Sequence, residues 1–487
     1  MQKKWRVVFI FKLILFCAFS LLTDHWNGTE AHSGPLDPHS PSVVSSLDFL
    51  NHFDRIAFGF MPAPGYGHYA TTSLMIKRVR SMGYTKHIDI YICNEGRVRK
   101  TIAPLLPGYN PEVRTDQELP FLNATTHEFE YDMFKNSNRP TIRKKFIAKR
   151  RLLSLKTLGI IGGDRPGQLF PGDIGVDAVL TVQPSGWSKP TLLVKTQGKP
   201  ISIIFPDPQS LPYHMEASVP TDPVAFLQEE MKMNPSVGSK LPLLELFEKY
   251  QGSHEVLTAY GLSYHDGPKK LAGIIQAIFK ARVAQPSLFT GGVLVPMISN
   301  FNAEEWAEFF TEIGKVQQLA SKVSVVANND LVSAEQVMRD LDPDHLVILK
   351  VGIVPQEVWN YLVSKSSLPP TVSGTSAMNY LNTLGKPFLQ TYGLPYLKER
   401  APEYFVSDQQ LPRLTYRAID QMRNSEDQLA KEAGIDQVSR FIIEAKKNDS
   451  ELIKNYQALR IILENKPDKA IYLLDRCNLL MHGESAE

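Results

Sequence analysis

The chain has 487 residues, 43% of them hydrophobic and 21% charged, which is enough apolar material for two globular domains with separate cores and excludes a disordered chain. Lys and Arg total 53 against 51 Asp and Glu, a formal charge of +2, so net charge gives no footprint of a nucleic-acid partner. Three cysteines, Cys17, Cys93 and Cys477, are too few and too scattered for a disulfide framework or a zinc site, and no metal is expected.

Lys3, Lys4 and Arg6 precede an apolar run from Val7 to Leu22 that only Lys12 interrupts. A basic end followed by a short apolar run predicts a signal peptide or short signal anchor, which with its linker occupies residues 1–33. The remainder is then expected in the secretory pathway, secreted or membrane-associated. Asn123 and Asn448 lie in N-x-S/T sequons consistent with that route.

Residues 34–280 read as a first domain. Arg55–Phe60 has the composition of a buried strand and runs into the turn Gly65-Tyr66-Gly67-His68. Leu74, Met75, Ile76 and Val79 follow at helical spacing up to Gly83, and Ile88–Ile92 forms a second strand, which makes a βαβ opening. A lone GxG does not complete the dinucleotide pattern, so no NAD site is read. From Phe134 to Gly163 there is no acidic residue. The stretch 135–156 alternates Lys and Arg with Ile, Leu and Phe, which predicts a basic amphipathic helix for an anionic membrane surface or a polyanionic acceptor; a solvated helix face is the alternative. Val176–Val182 and Ile201–Pro208 are further strands. The loops after them carry Gln183, Ser185, Trp187, Asp207 and His214, candidate acceptor contacts that ordinary loop chemistry also explains.

Residues 281–410 read as a second domain. Strands at Gly291–Ile298, Val323–Ala327 and Leu346–Val351 alternate with helices, and Trp306, Phe309, Phe310 and Ile313 form the apolar face of one of them. Pro369 and Pro370 exclude helix, so Thr371–Ser373 is a short extended segment that ends at Gly374. Thr375 and Ser376 can cap a helix bearing Ala377, Met378, Leu381 and Leu384, and Gly385 terminates it. A strand, a glycine turn and a helix leave free backbone N–H groups and the positive end of a helix dipole at Ser373–Ala377, a natural phosphate seat. The alternative is a plain turn with a hydroxyl cap. Residues 411–487 are helical by pattern, a tail packing on the domains.

The order Val354-Pro355-Gln356, helix, short strand, Ser373-Gly374-Thr375, helix, Gly385-Lys386-Pro387 resembles the donor-binding half of GT-B glycosyltransferases, both the UDP-sugar transferases and the MurG-type N-acetylglucosaminyltransferases. The match covers residues 351–391 well and the rest in outline. It implies an α/β fold of two Rossmann-like domains facing a central cleft, and transfer of a sugar from a nucleotide-sugar donor to a protein, lipid or glycan acceptor. That transfer would be metal-independent and inverting, with the nucleotide-sugar as co-substrate and no cofactor. The resemblance implies that Ser373, Gly374, Thr375 and Ser376 hold the donor diphosphate, that Val354 and Gln356 flank the nucleobase, and that Ser299 stands near the donor phosphates. The Gly65–His68 turn resembles the first βα loop of the same family. This adds Gly65 and Gly67 to the donor-binding set and makes His68 the candidate general base, with Asp207 orienting it or serving as the base itself. In many members a Glu midway along the second helix binds the donor ribose. Here Tyr380 holds that place, with Asn379 beside it. Two other readings stay open: an epimerase-like enzyme acting on a nucleotide-sugar, and an inactive scaffold that binds a glycan or partner.

Overall fold

The computed structural model describes residues 39–60, 66–129, 155–162, 176–182, 191–194, 201–205, 219–233, 235–262, 266–327, 331–339, 341–392, 411–423 and 427–482. The expected leader, the basic stretch up to residue 154, and Gly65, Gln183, Ser185, Trp187, Asp207 and His214 lie outside the described residues. Among the described residues no helix is long and apolar enough to cross a membrane.

The first unit runs α1 (Pro41–Asn51), β1 (Arg55–Phe60), α2 (Tyr66–Ser81), β2 (Ile88–Cys93), α3 (Gly96–Ile102), β3 (Gln117–Leu119), β4 (Ala124–Phe129), β5 (Thr157–Ile161), β6 (Ala178–Thr181), β7 (Thr191–Val194) and β8 (Ile201–Ile204). Its strands form one sheet in the order β3-β4-β2-β1-β5-β6-β7-β8. The five from β4 to β6 are parallel, and β3, β7 and β8 are added antiparallel at the edges. The inner strands are apolar on both faces, as a covered parallel sheet requires. Ile56, Phe58, Phe60, Ile88, Ile90, Ile92, Leu158 and Ile160 share one core with Met75, Ile76 and Val79 of α2. Ala57, Ile161, Val179 and Leu193 form a smaller core on the other side.

The second unit runs α4 (Pro223–Met233), α5 (Leu241–Tyr250), β9 (Glu255–Val256), α6 (Gly267–Ala284), β10 (Val293–Pro296), α7 (Ala303–Gly314), α8 (Gln317–Ala320), β11 (Val323–Val326), α9 (Leu331–Arg339), β12 (Leu346–Leu349), α10 (Gln356–Lys365), β13 (Thr371–Ser373), α11 (Thr375–Thr383) and β14 (Leu389–Tyr392). Strands β11-β12-β10-β9 are all parallel. Ala259, just past β9, bridges both Met297 and Thr371 in parallel. The β13-β14 pair thereby continues the same sheet. Helix α7 starts at a capping box made by Asn302 and Glu305, and Trp306, Phe309 and Ile313 face the core. Phe310, expected on that face, is 49% exposed.

Several elements before the expected division at residue 280 pack with the second sheet. Strand β9 lies inside the second sheet, α6 lies in its core, and Leu227, Leu243, Leu244 and Phe247 of α4 and α5 pack under the same sheet. The segment lacks the strong β/α alternation on which the sequence boundary relied, because β9 is short and continues only as an extended strip to Ala259.

The tail divides between the units. Helices α12 (Leu411–Met422), α13 (Gln428–Lys446) and α14 (Glu451–Glu464) put Ala418, Ile419, Met422, Val438, Phe441, Ile442 and Tyr456 into the second core. The last helix, α15 (Lys469–His482), crosses back, and Ile471, Leu473, Leu474, Cys477 and Met481 complete the first core. It lies along α1, where Ser46 Oγ donates to Ile471 O at 3.1 Å and Asn478 Nδ2 donates to Ser45 Oγ at 3.0 Å. Asp468 fixes the crossing. Its Oδ1 accepts from the N–H groups of Ala470 and Ile471, and its Oδ2 pairs with Arg78 Nη2 at 3.1 Å, both side chains only 3% exposed.

Breaking a buried pair leaves one charge uncompensated, so Asp468→Ala is expected to cost ~3–5 kcal/mol. A denaturant titration followed through the first core should show the loss, and Lys454→Ala, at an exposed pair with Glu451, should leave the midpoint within about 0.5 kcal/mol.

Candidate functional site

Ligands in open parallel sheets bind outside the carboxyl ends of the strands where strand order reverses. In the second sheet the chain passes from β9 to β10 on one side and places β13 and β14 on the other, so the reversal lies between β9 and β13. The two loops there are packed against each other. Gly261 has φ +80°, and a Cβ on it would stand 2.3 Å from Ser373 N and 2.4 Å from Ser373 Oγ. Only glycine fits that position. Hydroxyls tie the remaining ends together. Thr371 Oγ1 donates to Tyr260 O and accepts from Tyr260 N, both at 2.9 Å. Thr391 Oγ1 donates to Gly261 O at 2.7 Å. Ser299 Oγ accepts from Leu262 N at 2.9 Å, and Ser299 is 7% exposed. That hydroxyl joins the loops after β9 and β10.

Gly374, one residue on, is the opposite case. It is exposed, its φ is +87°, and a Cβ placed on it would have nothing within 4 Å. It is the N-cap of α11. The N–H groups of Thr375, Ser376 and Ala377 are first-turn groups with no intrahelical acceptor, at the positive end of the helix dipole. The sequence therefore builds an open seat on a fixed floor: Ser373 is 8% exposed beneath it.

The other expected donor contacts are placed unevenly. Val354 is 3% exposed and packs within the core. Gln356 opens α10 and is half-buried. Asn379 is half-buried on α11, whereas Tyr380 has no exposed surface and packs on Trp359 with ring centroids 5.3 Å apart. The position counted as equivalent to the ribose-binding carboxylate thus points into the core. Its hydroxyl has no partner among the described residues, and burial pushes its pKa up. Lys386, at the far end of the motif, donates from Nζ to Val363 O at 2.7 Å and Ser364 O at 3.2 Å. It closes the last turn of α10, and burial pushes its pKa down to about 8.

In the first sheet the reversal lies between β1 and β5, and α2 begins at the carboxyl end of β1. Gly67 and His68 stand in its first turn. Thr72 Oγ1 donates to His68 O at 3.1 Å and accepts from Gly162 N, just past β5, at 2.9 Å. A Cβ on Gly162 would come within 2.5 Å of His68 O. His68, half-buried, is therefore clamped by its backbone at the reversal of the first sheet. Helix α2 packs directly against α11, which brings the His68 helix and the Gly374 helix to one interface. Lys77 Nζ and Glu357 Oε1 bridge the units at 2.6 Å, at the edge of a small cavity lined also by Leu74, Arg78, Gln356 and Asn360. Among the described residues no group of His, Cys, Asp and Glu could hold a metal ion.

Sequence reasoning missed Gly261, Asp468 and the Lys77–Glu357 bridge. Gly261 follows the apolar run Val256–Ala259, the one signal that could have marked a strand and its turn. The ion pairs join residues 280 and 390 positions apart and leave no local trace.

No protein-family model matches the chain, and no curated protein is similar to it. Among solved structures, an alpha,alpha-trehalose-phosphate synthase (UDP-forming) from Burkholderia xenovorans, in complex with glucose-6-phosphate, aligns over 90% of this chain and 76% of its own at 9% identity and a TM-score of 0.30. A likeness of that size carries no argument about what this chain does.

Two measurements test the geometry. Gly374→Ala should cost about 1–3 kcal/mol from backbone conformation alone, and Gly261→Ala more, because its methyl meets backbone atoms; comparing their unfolding midpoints decides the order. Lys386 is charged in both states below pH 8, and between about 8 and its ordinary 10.5 the unfolded chain binds more protons. Its contribution to stability therefore rises with pH across that window. The difference between the denaturation midpoints of wild type and Lys386→Met should change with pH only there, with the rise absent from the variant.

Proposed function

We propose that the protein is a glycosyltransferase that moves a sugar from a nucleotide-sugar donor to an acceptor. The observation that carries the reading is the pairing of two strand-order reversals through packed helices, with an open glycine-capped helix N-terminus on one and a histidine on the other. In this reading the N–H groups of Thr375, Ser376 and Ala377 hold the donor diphosphate and stabilise the charge that develops on it as the glycosidic bond breaks. Gln356 and the backbone at Val354 contact the nucleoside, and Asn379 is the polar group beside Tyr380, which holds the place where members of the resembled family carry a carboxylate. His68 accepts the proton of the acceptor hydroxyl, and attack on the anomeric carbon from the face opposite the leaving group inverts its configuration. The fixed charge of the helix end supplies leaving-group stabilisation without a metal. The acceptor is a protein, lipid or glycan, and a leader of the kind read at residues 1–33 directs the reaction to the secretory pathway or a membrane surface.

One observation favours a second reading. Tyr380 is wholly buried, so nothing at that position can take the ribose hydroxyls, and a scaffold that binds a nucleotide or glycan without transfer would have the same floor and seat.

Calorimetric titration of the leader-free protein with UDP, GDP, dTDP and CMP separates these outcomes. Selective binding that Gly374→Trp abolishes is expected, together with a loss of about 10²–10⁴-fold in turnover and unchanged nucleotide affinity in His68→Ala. Nucleotide binding without turnover by the wild type selects the scaffold, and no binding of any nucleotide removes the donor assignment.

A further inference from the structure

A histidine in the first turn of a helix is useful as a base only if that turn holds still, and the first turn is the part of a helix whose own N–H groups have no intrahelical acceptors. Three contacts hold this one. Tyr69, the residue after His68, is 6% exposed and lies over Phe60 at the end of β1, with ring centroids 6.4 Å apart. Thr72, one turn further on and 1% exposed, uses one hydroxyl in two directions, donating to His68 O at 3.1 Å and accepting from Gly162 N at 2.9 Å. Gly162 lets the chain past β5 come this close, because a Cβ there would stand 2.5 Å from His68 O, 2.9 Å from Thr72 Oγ1 and 3.0 Å from Thr71 Cβ. The crevice at the reversal of the first sheet opens between the ends of β1 and β5, so the Thr72 hydroxyl ties its two walls together. Serine can make both bonds; valine, of the same shape as threonine, can make neither.

The ring of His68 is placed as unequally as its backbone is firmly. Nδ1 is buried, so Nε2 is the nitrogen that can meet a ligand. For Nε2 to accept a proton, the neutral ring must carry its own proton on Nδ1. We propose that Thr72 and Gly162 are positioning residues for the transfer step, fixing the first turn of α2 to the end of β5 so that His68 Nε2 takes the proton of the acceptor hydroxyl; this role rests on the transfer reading given above. The acceptor oxygen bonds to the anomeric carbon as the bond to the donor phosphate oxygen breaks with its electron pair, and the imidazolium keeps the proton. Neither Thr72 nor Gly162 touches the reacting atoms.

The test is hydrolysis of the glucosyl ester of whichever nucleotide binds in the titration above, with water as acceptor. Thr72→Val is expected to lower kcat about 10²-fold at unchanged KM, Gly162→Ala to lower it as well, and Thr72→Ser to restore it. Added to His68→Ala, Thr72→Val is expected to cause no further loss. Gly162→Ala, with a far-UV spectrum matching the wild type, serves if the Val variant does not fold. A wild-type kcat in Thr72→Val, or the same loss with and without His68, overturns the positioning role. Diethyl pyrocarbonate, which acylates the imidazole nitrogens it can reach, reads the placement without turnover. The His68 peptide is expected to carry one adduct in the wild type and in Thr72→Ser, and two in Thr72→Val and Gly162→Ala. No adduct on the wild type, or the same number in every variant, overturns the placement. A wild type without turnover removes the transfer reading, and the adduct count then decides the placement by itself.

Discussion

The close approach of Gly261 to Ser373 is the constraint on which the second unit depends. Strand β9 is only two residues long by its ladder, and the sheet would end there if the strip through Ala259 did not reach both Met297 and Thr371. That reach needs the loop after β9 to turn sharply against the backbone of Ser373, with less room than a methyl group occupies. The hydroxyls of Thr371, Thr391 and Ser299 then satisfy the backbone groups that such a turn strands away from water. The residues after Ser373 inherit that rigidity. Gly374 can stay open to solvent because the residue beneath it is held by the sheet and by three side-chain hydrogen bonds nearby.

Much of this was legible in the amino-acid sequence, for physical reasons that differ by element. The unit from Thr371 to Gln390 could be read because prolines, glycines and helix-periodic apolar residues each act locally. The βαβ opening was legible for the same reason, since Ile56, Phe58 and Phe60 alternate and Leu74–Val79 follow helical spacing. The packing of the segment before residue 280 is not legible in the sequence, because β9 has no periodicity to detect in two residues, and α4 and α5 carry no mark of which sheet they will cover. The site was legible only in part. Gly374 announces itself by composition, but the need for Gly261 arises from a segment 112 positions away (373 − 261 = 112). Counting along the helix places Tyr380 midway as expected but does not tell which way it faces, because the rotation of α11 is set by Met378, Tyr380 and Leu381 entering the core together. Val354 likewise reads as a site residue and packs as a core residue. Ser299 has its hydroxyl committed to a neighbouring loop, a role that depends on which strands are adjacent and so on the sheet order.

The contact between α2 and α11 brings the two units together. Each sheet alone offers a reversal point, and neither offers both an open helix end and a histidine. Lys77 and Glu357 bridge the units, and Arg78, the next residue of α2, ties the same helix through buried Asp468 to the crossing into α15. Side by side on one helix, the first can exchange with water at small cost while the second cannot.

The return of α15 to the first unit has a consequence for how the protein is made. The first core contains Ile56 and Phe58 from early in the chain and Leu473, Leu474 and Cys477 from its last helix. During synthesis the first sheet emerges long before the helix that covers α1, and domains otherwise fold in order as they leave the ribosome. Between those moments the groove along α1 exposes Val43, Phe49 and Leu50, all buried in the finished protein. The amino-terminal unit is thus the first to be translated and the last to be completed, and its sticky interval lasts for the whole time needed to translate the second unit.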